Sequence, residues 1–93
     1  MSRVLIPLTE GFEESEAIVP ADLLVRAEIE AVFVGMTGSS VTGSHGITVS
    51  CNGGAWCDLN PNPDDYIAVF LPGGMPAALR LAESAELKAF TEA

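Results

Sequence analysis

Positive charge is scarce in this chain. Arg3, Arg26, Arg80 and Lys88 are its only basic residues against thirteen acidic ones, for a net charge of −9. That balance repels phosphate backbones, and the four basics are scattered, so nucleic-acid binding is excluded as a working hypothesis. Aromatic residues make up only 6% of the chain. Since 48% of it is hydrophobic, any core must be mainly aliphatic. No apolar run approaches the roughly 18 residues needed to cross a bilayer. Met1-Ser2-Arg3 leads into Val4-Leu5-Ile6, which Pro7 stops, too short for a secretory leader. A cytoplasmic protein with no membrane partner is expected. Histidine occurs once, as His45, and cysteine twice, as Cys51 and Cys57. No Cys-x-x-Cys spacing occurs and the possible ligands number three, so no metal site is expected, and a disulfide is disfavoured in the cytosol. Each cysteine reads as a small buried hydrophobe.

What the chain does have is a sharp boundary. Tyr66-Ile67-Ala68-Val69-Phe70-Leu71 is an apolar run that ends in Pro72-Gly73-Gly74. Such a run predicts a strand buried on both faces, the habit of parallel sheets. Bare glycine amides at the start of a following helix are a place for an anion or oxyanion. Upstream, Arg3 to Leu8 predicts a first strand and Ala31 to Val34 a second. Between them Glu13 to Arg26 has helical spacing, with Ala17, Ile18, Ala21, Leu24 and Val25 on one face. Pro20 predicts a kink there or a helix that properly starts near Glu16. Glu13, Glu14 and Glu16 load the positive end of the helix dipole.

Val41-Thr42 and Ile47-Thr48-Val49 predict a small hairpin around Gly43-Ser44-His45-Gly46. Asn52 to Asp65 reads as loop with one helical turn near Ala55 to Leu59. Met75 to Leu81 predicts a short helix, and Ser84 caps another. The fold class is therefore α/β with a mostly parallel sheet. Three strands form a narrow sheet whose edge exposes apolar surface, so a further strand is expected from another segment, chain or subunit.

Gly11-Phe12-Glu13-Glu14-Ser15-Glu16 running on to Pro20, then Leu71-Pro72-Gly73-Gly74 and Leu81-Ala82-Glu83-Ser84, resemble the ThiJ/PfpI superfamily, in its deglycase branch. The resemblance implies a flavodoxin-like sandwich, usually a homodimer, that works without a cofactor through a cysteine on a tight strand-to-helix elbow. Neither Cys51 nor Cys57 stands in such an elbow. Residues 1–93 are thus expected to be the N-terminal half of one domain, with a companion C-terminal segment supplying the nucleophile.

Within that frame Glu16 matches the glutamate that hydrogen-bonds the cysteine, although read alone it is a solvated helix-terminal carboxylate. Gly73 and Gly74 match the glycines beside the cysteine, with the Gly74 amide the better oxyanion donor. Glu13 and His45 match an acidic–basic pair that meets across the dimer, where histidine would make the contact pH-dependent. The implied activity is glyoxalase- or deglycase-type chemistry on small α-oxoaldehydes or their adducts. The alternative is a non-catalytic redox-stress chaperone or dimerisation module. A stand-alone phosphate-binding domain is disfavoured, since Gly-x-Gly-x-x-Gly and Gly-x-x-x-x-Gly-Lys are both absent.

Overall fold

The computed structural model describes residues 2–72. Gly73, Gly74, the expected helix at Met75 to Leu81 and the Ser84 cap lie outside the described residues. Strand β1 (Arg3–Leu8) is central: it pairs in parallel with β2 (Glu30–Gly35) on one side and with β5 (Ala68–Val69) on the other. Its residues Val4 to Leu8 are all buried. The run covered on both faces is therefore β1.

The expectation for Tyr66 to Leu71 is corrected on this point. Only Ala68 and Val69 form regular strand, Ala68 is exposed, and Ile67 and Leu71 are 64% and 48% exposed. Among the described residues β5 pairs with a strand on one side only. Its ladder is nonetheless anchored, with the Ile67 N–H donating to Arg3 O and the Phe70 N–H to Leu5 O, both at 2.9 Å.

Helix α1 (Glu14–Arg26) connects β1 to β2 and runs through Pro20 rather than starting near Glu16. Ala17 and Ala21 are buried and Leu24 packs beside them, a spacing of four and three residues that keeps one stripe on the sheet. Ile18 and Val25 do not join that stripe and are 41% and 61% exposed. Each follows an inward residue by one position, a rotation of about 100° that carries it off the contact line.

The hairpin is present: β3 (Ser40–Thr42) pairs antiparallel with β4 (Thr48–Ser50). The loop after it closes the free edge of β2. Asn52 Oδ1 accepts from the Phe33 N–H at 2.7 Å, Asn52 Nδ2 donates to Ala31 O at 2.9 Å, and the Gly53 N–H donates to Phe33 O at 2.9 Å. These bonds stand in for a neighbouring strand and keep that edge from pairing elsewhere. A short helix α2 (Trp56–Leu59) and a 3-10 turn at Pro63–Asp65 complete the loop. Trp56 packs over Leu5, Val32 and Val34 with Leu59, as a covering residue. The opposite face of the sheet holds Val4, Ile6, Leu8, Phe12, Ala17 and Val41.

Candidate functional site

The strand order β2-β1-β5 places consecutive connections on opposite sides of β1. Open α/β sheets bind ligands at such a reversal, outside the carboxyl ends of the strands. Here the segment following β1 and the Leu71-Pro72 segment following β5 emerge at that end, and α1 begins there. Phe12 is fully buried below this rim and anchors the first segment in the core.

The segment is stitched to the hairpin. Glu10 Oε2 accepts from the Thr42 N–H at 3.1 Å, the Gly11 N–H donates to Thr42 O at 3.0 Å, and the Ser44 N–H donates to Phe12 O at 2.9 Å. At the centre of the stitching is Glu14, 5% exposed. Its Oε2 accepts from the backbone N–H groups of His45 at 2.8 Å and Ile47 at 3.2 Å, and its Oε1 lies 3.0 Å from His45 Nδ1. Burial alone would push this carboxyl's pKa up. The hydrogen bonds from the His45 ring and from the backbone N–H groups of Glu14, His45 and Ile47 outweigh it and hold the value at about 2. His45 is displaced the other way: the Glu14 hydrogen bond, then the charges of Glu13 and Glu14, raise its pKa against a smaller opposing effect of burial.

Sequence reasoning counted Glu14 only among the first-turn acids. The available signal was the glycine-flanked turn Gly43 to Gly46, whose free N–H groups need an acceptor, facing a helix start rich in carboxylates.

Glu13 and His45 do come together, with His45 Nδ1 3.3 Å from Glu13 Oε1. They meet within one chain. Glu16 is exposed, and among the described residues no hydrogen bond joins its carboxylate to another group. The carboxyl that packing desolvates is Glu14, not Glu16, because Glu14 points under the hairpin turn while Glu16 lies two positions, roughly 200°, around the helix. Cys51 is buried and its thiol is pushed up by desolvation, the opposite of an activated nucleophile. Cys57 is exposed, against the expectation that both cysteines are buried. It sits on the outer side of α2, 4.0 Å from Asp58 Oδ1. Beside Glu14 and His45, an open cleft of about 670 Å³ is lined by Ser15, Ile18, Val19 and Ile47.

A three-stranded parallel core with a βαβ start and a strand-order reversal at β1 is a portion of a flavodoxin-like α/β sandwich. The chain belongs to the DJ-1/PfpI family, whose sequence profile matches residues 2–93. It is 31% identical over 86 residues to the Parkinson disease protein 7 homolog of Danio rerio, an alignment covering 92% of this chain and 45% of that one. It is 37% identical over 87 residues to a deglycase of Pyrococcus abyssi, covering 89% of this chain and 49% of the relative. Among solved structures, oxidized Toxoplasma gondii DJ-1 superposes with a TM-score of 0.87 at 31% identity, covering 99% of this chain and 49% of that one. The Drosophila melanogaster DJ-1beta structure gives a TM-score of 0.86 at 28% identity. The chain thus spans about half the length of the relatives it matches. Among the described residues, no helix is long and apolar enough to cross a membrane.

Proposed function

We propose that residues 1–93 act as the N-terminal half of a cofactor-independent cysteine enzyme of the deglycase or glyoxalase type, working in the cytoplasm on small α-oxoaldehydes or their adducts. A companion C-terminal segment supplies the nucleophilic cysteine. The thiolate adds to the aldehyde carbon, the Gly74 N–H beside Gly73 donates to the developing oxyanion, and Glu16 moves the proton. The observation that carries this reading is the position of Glu16. It stands in the first turn of α1, at the strand-order reversal, unengaged among the described residues and open to a group approaching from outside. The deglycase relative of Pyrococcus abyssi supports the reaction class.

Methylglyoxal consumption tests it, measured on the chain alone and then with a companion segment bearing a cysteine elbow. Turnover only in the pair supports the reading. Equal turnover by the chain alone, or none by a folded pair, overturns it.

A second reading is a non-catalytic dimerisation or chaperone module. It is favoured by Val19 and Ile47, both 56% exposed beside the cleft, where a second copy would find apolar surface. Sedimentation of a variant carrying Val19→Lys and Ile47→Lys separates the two. Loss of self-association with turnover of the pair retained leaves the enzyme reading standing.

A further inference from the structure

The Nδ1 atom of His45 has more oxygen neighbours than it has hydrogens to give. Glu14 Oε1 lies 3.0 Å away, Ser44 Oγ 3.1 Å and Glu13 Oε1 3.3 Å. This nitrogen carries at most one hydrogen, and one hydrogen serves one acceptor well. The serine hydroxyl can turn its own hydrogen to a carboxylate, which still leaves two carboxylates around one N–H. These separations have another reading. Zinc binds nitrogen and oxygen donors at about 2.0–2.1 Å, so tetrahedral ligands stand about 3.3 Å from one another. The donor atoms of Glu13, Glu14 and His45 all lie within 4.8 Å of each other.

We propose that Glu13, Glu14 and His45, with the Ser44 hydroxyl beside them, form a binding site for a divalent first-row transition cation of the zinc type. His45 Nδ1 and one oxygen from each glutamate are the protein ligands, and Ser44 or water takes the fourth position. Glu14 is held for this role: its Oε2 is occupied by the N–H groups of His45 and Ile47, which leaves Oε1 for the cation. The His45 side chain is 67% exposed, so the cation and its water have an open approach. An imidazole in the donor set selects zinc-like ions over magnesium or calcium. A bound cation would cross-link the hairpin turn to the start of α1, independently of the chemistry proposed for Glu16.

Calorimetric titration of the chelator-treated full chain with Zn²⁺ alone tests the site, with Co²⁺ absorption reporting geometry. One saturable equivalent and a tetrahedral Co²⁺ spectrum are expected. His45→Ala and Glu13→Gln should each weaken binding roughly tenfold or more. Glu28→Gln, a distant exposed carboxylate, should leave it unchanged. Circular dichroism of each variant confirms that the fold is retained. Absence of saturable binding, an octahedral Co²⁺ spectrum, unchanged affinity in His45→Ala, or equal weakening by Glu28→Gln would overturn the proposal.

Discussion

Gly43 makes the room in which the Glu14 carboxylate sits. A Cβ built on Gly43 would stand 2.3 Å from Glu14 Cδ and 2.4 Å from its Oε2, distances that no pair of such atoms tolerates. The bareness of the turn and the burial of the acid are one device. Gly43→Ala should therefore destabilise the folded protein by about 1–3 kcal/mol through overpacking. Gly38, whose Cβ would meet nothing within 4 Å, is the control. Gly38→Ala should change stability by no more than about 0.5 kcal/mol. Equal denaturation midpoints for the two variants would remove Gly43 from this role.

The Glu14–His45 contact ties stability to pH from both sides in chelator-treated protein. Glu14 titrates lower folded than unfolded, so its contribution is present above the usual value of 4.5 and disappears as pH falls through about 2. His45 titrates higher folded than unfolded, so its contribution is complete below the usual 6.5 and disappears as pH rises through its raised folded value. The groups facing the ring are Glu13, Glu14 and Ser44. Because the chain has one histidine, a single imidazole resonance reports the titration. Glu14→Gln should move its midpoint down, and an unmoved midpoint contradicts the assigned partner.

The two cysteines should separate cleanly under alkylation. Cys57 is exposed and should react in the native protein, while Cys51, buried and pushed up by desolvation, should stay protected until unfolding. Peptide mass spectrometry after brief iodoacetamide treatment at neutral pH gives the order. Preferential labelling of Cys51 would make it an activated thiol and would remove the need for a nucleophile from a companion.

Phe12 belongs to the core although its neighbours form a turn. It is fully buried among the Val4, Ile6, Leu8 and Ala17 side chains. Phe12→Ala should cost about 3–5 kcal/mol, read as a shift in the urea midpoint. A loss below about 1 kcal/mol would show that the segment after β1 is not anchored this way.

The strands, the hairpin and α1 were legible because their signals are local: a β-branched run, a glycine turn between short β pieces, and the Ala17–Ala21–Leu24 spacing. What the sequence hid depends on neighbours. Ile18 and Val25 are as apolar as Leu24, but only a finished sheet decides which side of the helix it meets. The apolar run at 66–71 resembled a central strand, yet composition cannot say that β1 takes that place. Glu14 and Glu16 are chemically identical and two positions apart; the hairpin turn lies over one of them. The family motif singled out Glu16, whose proposed role requires a thiol from elsewhere, while the buried acid was left to geometry.

The central claim is that Glu16 serves a cysteine carried by a companion segment. A thiolate absorbance titration of that cysteine, in the reconstituted pair with and without Glu16→Gln, tests it most directly. The account predicts an intact fold and a cysteine pKa shifted upward in the variant. An unchanged titration in a folded variant would contradict it.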